Sequence, residues 1–241
     1  MRHSADFLPW RAIGTGAGQN STMGRLDFSD LERDGWTAIP GLLTAGEAEV
    51  LARQCAELLT TVDAERQGDK RVGGTRRACD VLHRVRDAGA LFDAPEITAA
   101  VASLLGPDTA WPVRDVAFRC PQPGFGNQAL HADEMAIEHA GECWAVTAIV
   151  ALCDFAPDNG ATAVVPGSHH RPDLQRRAGR LDLGRDEVTL CGKAGTAFVF
   201  SAHLLHRGTL NRSDHPRPAL QAQWGRRPRH LTPGPPGAQR G

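Results

Sequence analysis

Two stretches of this chain carry residue types that could do chemistry together: His131-Ala132-Asp133, and Leu205-His206-Arg207-Gly208 with Arg217 after it. A His, one spacer and an Asp on an extended segment, with a second His far downstream, is the linear trace of two imidazoles and a carboxylate on one face of a metal ion. Such a set suits non-haem Fe(II) and leaves open positions for a co-substrate and oxygen. Residues i and i+2 of a strand face the same way, so His131 and Asp133 could both turn inward. The spacing alone is weak evidence. Its plain alternative is a hydrogen-bonded core histidine, with Asp133 capping the turn that follows.

The second stretch adds to the first. Gly195 to Phe200 reads as a strand leading to His203 and His206, followed by Asn211, Ser213 and Arg217. A guanidinium next to a metal can hold the far end of a dicarboxylate through two parallel charge-assisted hydrogen bonds, which Lys does less well. His203 precedes His206 by an odd spacing and falls on the opposite side of a continuing strand. His169, in Pro166-Gly167-Ser168-His169, reads as a turn-stabilising residue. His83, His139, His170, His215 and His230 read as exposed polar residues. Glu134 and Glu138 are alternative carboxylates to Asp133.

The elements that must position these groups change character along the chain. Phe28 to Trp36 predicts a short helix capped by Ser29 or Asp30 and stopped by Gly35, followed by a strand over Thr37 to Pro40. Thr44 and Glu47 stand as a capping box before the apolar stripe Leu51, Cys55, Leu58, Leu59, Val62. Asp63 to Thr75 reads as an exposed loop. Asp93 and Glu96 predict another capped helix with Ile97, Val101, Leu104 and Leu105 buried, ended by Gly106-Pro107. After Pro112 come short runs of strand formers: 113–119, 128–133, 144–155, 161–165, 187–190, 196–201 and 219–224, separated by Gly- and Pro-containing turns. Helices first and strands afterwards predict a mainly β chain with flanking helices around a double-stranded β-helix, a cupin-like jelly roll.

Composition sets the bounds. The chain has 241 residues, 41% hydrophobic, enough for one catalytic domain with a core of its own. That domain is expected over 25–228, with a disordered extension over 1–24 and a flexible tail over 229–241; Met23 is an alternative start to Met1. A formal charge of −1 gives no footprint for nucleic acid, and Arg226, Arg227 and Arg229 read as a solvated tail. No signal segment or membrane-length apolar run is evident, so the cytoplasm is the expected compartment. The six cysteines, with no CxxC pair, are then packing residues rather than disulfides.

From Leu31 to Trp224 the chain resembles the phytanoyl-CoA dioxygenase family of Fe(II)- and 2-oxoglutarate-dependent oxygenases. The matching blocks, in order, are Glu32-Arg33-Asp34-Gly35-Trp36 through Pro40-Gly41-Leu42-Leu43; Leu130-His131-Ala132-Asp133; Ala151-Leu152-Cys153-Asp154 through Asn159-Gly160 to Val165-Pro166-Gly167-Ser168-His169; and Leu205-His206-Arg207-Gly208 through Asn211-Arg212-Ser213 to Arg217. The resemblance implies that His131, Asp133 and His206 bind iron and that Arg217 binds the 5-carboxylate of 2-oxoglutarate, with Trp144 and Arg76 near the co-substrate pocket. It also implies consumption of O2 and release of succinate and CO2. The family usually has Gln between the His and the Asp; here it is Ala132, with Gln128 or Asn127 as replacements. Halogenating relatives lack the carboxylate, so Asp133 favours hydroxylation or a related oxidation.

The expected substrate is a small molecule, either an acyl thioester or a specialised metabolite, and the expected assembly is a monomer or weak homodimer. Arg76, Arg114 and Arg119 are candidates to read an acidic substrate. Two other classes stay open: a cupin-like protein that binds a metal or small ligand without turnover, and a Zn(II) hydrolase or isomerase on the same face. Arg217 separates the first of these from an oxygenase, because a metal-binding barrel has no need of an anion clamp.

Overall fold

The computed structural model describes residues 28–59, 74–79, 81–106, 113–134, 142–180 and 186–226. The expected extension over 1–24, most of the loop from Asp63, and the tail over 229–241 lie outside them.

The front of the chain is helical. Helix α1 (Ser29–Arg33) has Phe28 at its N-cap, one residue before the expected Ser29, with no side-chain cap bond. Asp30 instead takes a hydrogen bond from Arg33. Gly35 ends this turn at φ 83, and a Cβ there would stand 2.6 Å from His169 Nδ1 and 2.8 Å from Leu204 Cδ1. The chain can therefore double back only through glycine. Strand β1 (Trp36–Ile39) follows. Helix α2 (Ala45–Leu58) has the expected capping box, Thr44 and Glu47 each bonding the other's backbone N–H, and buries Leu51 and Cys55.

Thr75 does not lie in a loop. It opens strand β2 (Thr75–Ala78), whose charged sequence TRRA suits the edge of a sheet. Helices α3 (Val81–Arg84), α4 (Arg86–Phe92) and α5 (Pro95–Leu105) come next. Asp93 closes α4 rather than capping α5; Ala94 is the N-cap and Pro95 the first residue, where its missing N–H costs nothing. The stripe Ile97, Val101, Leu105 is buried as expected, while Leu104 is partly buried.

The rest is antiparallel sheet. Strands β3 (Val113–Pro121), β4 (Ala145–Ala151), β7 (Ala197–Ser201) and β9 (Ala219–Gly225) join β1 and β2 in the order β1-β7-β4-β9-β3-β2. A smaller sheet has the order β6-β5-β8, from β5 (Thr162–Val164), β6 (Val188–Thr189) and β8 (His206–Gly208). Every residue of β4 is buried, as a central strand covered on both faces requires. Val146, Ala148 and Val150 pack with Val116, Phe118, Leu220 and Trp224 beneath the helices. Ile149 and Ala151 face the other way, with Phe198, Phe200 and Val164, into the space between the sheets. This two-sheet sandwich is the expected jelly roll, and alternation along β3, β4 and β9 decides which side chains reach its interior.

One expected strand changes. Residues 128–133 form no ladder beyond an isolated bridge between His131 and His206. Gln128 replaces one backbone partner with its side chain: its N–H donates to Gly208 O at 3.0 Å, while its Oε1 accepts from Gly208 N at 2.8 Å. The strand over 196–201 ends at Ser201 as expected, but it does not continue to His203: residues 202–204 turn before β8 begins. All six cysteines are free thiols. Among the described residues no helix is long and apolar enough to cross a membrane.

Candidate metal centre

His131, Asp133 and His206 meet between the two sheets. One ligand atom from each lies within 4.8 Å of the others. Asp133 Oδ1 stands 3.8 Å from His131 Nε2 and 3.7 Å from His206 Nε2. Neighbouring ligands around an ion with bonds of about 2.1 Å stand roughly 3 Å apart, so the carboxylate needs to close on each imidazole by under an ångström.

The backbone fixes the two imidazoles. His131 N–H donates to His206 O at 3.0 Å and His206 N–H donates to His131 O at 2.8 Å, a reciprocal pair. Each ring then turns in the same way: His131 Nδ1 lies 2.9 Å from Ala129 O and His206 Nδ1 3.0 Å from Leu204 O. A carbonyl only accepts, so Nδ1 carries the proton and Nε2 keeps its lone pair for a metal. Burial pushes the His206 imidazole below its ordinary range; Asp133 pulls it up and His131 down. A neutral ring is what ligation needs.

Asp133 is anchored from the opposite sheet. Thr147, on the inward face of β4, donates through Oγ1 to Asp133 Oδ2 at 3.1 Å, which leaves Oδ1 facing the imidazoles. Sequence reasoning missed Thr147; its signal was the even spacing to Ile149 on a strand whose odd positions face inward. Ala132, between the two ligands, packs beside Leu130, Val165 and Leu205 instead. A polar side chain at that position would have to leave this apolar cluster.

Arg217 enters the same cavity from the turn before β9. Its residue is 5% exposed, its guanidinium carbon lies 4.5 Å above the Phe155 ring, and its Nε and Nη1 are buried with no hydrogen-bond partner. Burial above all, with a smaller push from nearby Arg119, lowers its pKa to about 10. An unpaired buried guanidinium costs several kcal/mol, and a bound carboxylate with two parallel oxygens would remove that cost. Asn211, fully buried, shapes the turn: its Nδ2 donates to Pro121 O and His215 O, while its Oδ1 accepts from Ser213. Arg217 N–H is itself held by Pro121 O at 3.0 Å.

The cavity between the ligands and Arg217 is also lined by Thr75, Gln128, Ile149, Thr162 and Phe200. Gln128 is thus placed to address a co-substrate, though its oxygen is committed to Gly208. Asn127 is not among the lining residues and accepts from Arg207. The structure does not bring Arg76 here. It occupies the outward face of β2, where its Nη2 donates to Leu59 O at 2.9 Å. Trp144 precedes β4 at the outward parity of Val146 and does not line the cavity; its backbone N–H donates to His203 Nε2.

His203 is buried and stands apart from the ligand set, because of the turn rather than strand alternation. Its Nδ1 lies 3.0 Å from Glu134 O. His169 and His170 lie tilted against each other, 3.8 Å between ring centres, and both reach Glu32 O, tying the 3-10 turn over 168–170 to α1.

The chain matches the family described as phytanoyl-CoA dioxygenase over residues 31–219. It is 26% identical over 214 residues to the dioxygenase FUM3 of Gibberella moniliformis, covering 80% of this chain and 69% of that protein. It is 36% identical over 94 residues to the dioxygenase easH of Epichloe festucae var. lolii, covering 37% of this chain and 49% of that protein. Among solved structures it is similar to the non-heme alpha-ketoglutarate-dependent epimerase SnoN from nogalamycin biosynthesis, with TM-score 0.67, 25% identity, and 82% and 80% of the two chains covered. HygX from Streptomyces hygroscopicus, solved with nickel and 2-oxoglutarate, shares the fold at TM-score 0.66 and 22% identity, with 83% and 87% covered.

Proposed function

This chain belongs to the phytanoyl-CoA dioxygenase family, and from that premise we propose that it is an Fe(II)- and 2-oxoglutarate-dependent oxygenase acting on a small molecule. The observation that carries the reading is the pairing of the His131, Asp133, His206 set with an unpartnered buried guanidinium in one cavity. A Zn(II) site or a simple metal-binding barrel accounts for the ligand set and leaves Arg217 unexplained.

Fe(II) with 2-oxoglutarate supplies the oxidising power, coupling use of O2 to release of succinate and CO2. In this assignment His131 and His206 offer Nε2 with the proton parked on Nδ1, and Asp133 offers Oδ1 with Oδ2 held by Thr147. Arg217 grips the distal carboxylate of 2-oxoglutarate and so orients its keto acid end towards the three ligands. Phe155 lies under the guanidinium and Phe200 beside His206, so an apolar ring limits water at each end of the site. Positioning and a dry electrostatic environment are the protein's contribution.

Anaerobic titration of the protein with Fe(II) and then 2-oxoglutarate tests this. A visible charge-transfer band is expected, saturating at one equivalent of each, and air admitted with a substrate should give succinate. Metal binding without the band would return the site to the Zn(II) or binding-protein readings.

A further inference from the structure

The three proposed ligands are not held alike. Main-chain carbonyls fix both imidazoles, Ala129 O for His131 and Leu204 O for His206, so those two bonds do not depend on any other side chain. Asp133 has no such support. It lies on the stretch that forms no ladder beyond the bridge at His131, and the next backbone bond along the chain belongs to Glu134. It also stands where two cavities meet, the one that reaches Arg217 and a second of about 270 Å3, so open space adjoins it on two sides. The direction of the carboxylate therefore comes down to one hydrogen bond, from Thr147 Oγ1 to Oδ2 at 3.1 Å.

The donor of that bond is firmly set. Thr147 is fully buried on the inward face of β4, paired with Phe200 of β7 on one side and Gln223 of β9 on the other. The Phe200 ring in turn lies 5.0 Å from the His206 ring, centre to centre. A β-branched side chain on a strand has little freedom at χ1, and among the described residues Asp133 is the only partner of this hydroxyl. Away from water such a bond is electrostatically stronger than on the surface.

A carboxylate can meet a metal ion through one oxygen or through both. Binding through both fills an extra coordination position, whereas a set of two histidines and one carboxylate works by leaving positions open. We propose that Thr147 is a positioning residue that holds Asp133 to one oxygen. Its hydroxyl occupies Oδ2 and leaves Oδ1, which stands 3.8 Å from His131 Nε2 and 3.7 Å from His206 Nε2, as the metal-binding atom. Without the hydroxyl, Oδ2 turns to the ion and one open position closes. The assignment rests on the metal set of the oxygenase reading above, and it gives β4 control over how many positions that set leaves free.

The test uses Mn(II) alone, bound to the full chain, with its coordinated waters counted from the broadening of its EPR lines in water enriched in oxygen-17. An octahedral ion on three protein atoms keeps about three waters, the count expected of the parent. Thr147→Val, which loses only the donor, should show one water fewer. Thr147→Ser, which restores the donor, should return to the parent's count. A hydroxyl that served the fold alone would alter stability and leave the count where it was. An unchanged count in Thr147→Val, or a Thr147→Ser protein that matches Thr147→Val, overturns the proposal. Should Thr147→Val fail to fold, Thr147→Ala and Thr147→Ser, which differ by the hydroxyl alone, make the same comparison. A parent that takes up no Mn(II) overturns the metal assignment and this proposal with it. A parent that binds Mn(II) yet gives no charge-transfer band with Fe(II) and 2-oxoglutarate refutes the oxygenase reading, and the water count still decides the part played by Thr147.

Discussion

Arg217 holds a guanidinium in a nearly closed space with Nε and Nη1 unpartnered, so its contact with the Phe155 ring stands against the cost of a buried charge until an anion arrives. Replacing it by Met keeps its volume and its contact with Phe155 while removing the buried charge. Arg217→Met should therefore match or exceed the parent in thermal stability without ligand, yet lose about 1.5–3 kcal/mol of 2-oxoglutarate affinity, roughly 10- to 150-fold in Kd. Equal affinity in both proteins would remove Arg217 from the co-substrate site. His169 gives the pH dependence. Burial, and then His170 beside it, holds its imidazole down to about 4, against an ordinary 6.5, despite the bond to Glu32 O. Between those values the unfolded chain takes up a proton that the folded one refuses. Stability should thus be full above pH 6.5, fall as pH drops towards 4, and fall no further from this group below that. Chemical denaturation from pH 4 to 7 should show a shallower slope for His169→Asn. The ligand residues were legible because His-x-Asp and a distant His are rare together with an Arg that follows. The partner of Thr147 was not, since strand parity turns its side chain inward but nothing in the spacing says that its hydroxyl bonds Asp133 Oδ2; likewise Asn211 stands out in the sequence while its part in shaping the turn does not.

At the level of elements, what could be read in advance was what local chemistry decides. The Thr44 and Glu47 box and the Ile97 to Leu105 stripe depend on neighbours within a turn or two, and both appear where expected. Strand β2 carries no strand signal of its own, and the expected loop runs into its first residue, Thr75, because the element is short, charged and at an edge; only its pairing with β3 makes it a strand. That pairing also separates Arg76, facing out, from Thr75 and Arg77, which line cavities. The start of α5 moved because Pro95 at the first helical position outweighs the cap offered by Asp93. Tight turns between strands carry comparable information. Gly195, at φ 86 before β7, packs its Cα against the Leu43 carbonyl, so any Cβ would overlap backbone that cannot move aside. Gly195→Ala should cost more than about 2 kcal/mol. Urea denaturation should show the lowered midpoint with an unchanged slope; a loss under 0.5 kcal/mol would mean the turn relaxes freely.

For the molecule as a whole, the proposed ligands come from both layers. His206 belongs to the small sheet, His131 is bridged to it, Asp133 is tethered to β4 of the large sheet, and Arg217 precedes β9. An ion with 2-oxoglutarate would therefore cross-link the sandwich from inside. At a hundredfold excess over Kd, such a ligand adds about 2.7 kcal/mol, so Tm should rise by several degrees with Fe(II) and 2-oxoglutarate under anaerobic conditions and return with a chelator. Arg217→Met should respond to the metal alone and gain little from 2-oxoglutarate. The layered fold was legible from helices followed by many short strands; the strand order and the second cavity were not, because they depend on register between distant segments.

The reciprocal backbone bonds between His131 and His206 have a practical corollary. Since main-chain atoms hold the two positions together, deleting one ring should leave the scaffold standing with a ring-shaped gap. In His131→Ala that gap adjoins solvent, the native side chain being 37% exposed. Free imidazole added at millimolar concentration should then slip into the vacancy and restore the charge-transfer band, a chemical complementation that Asp133→Ala would not share.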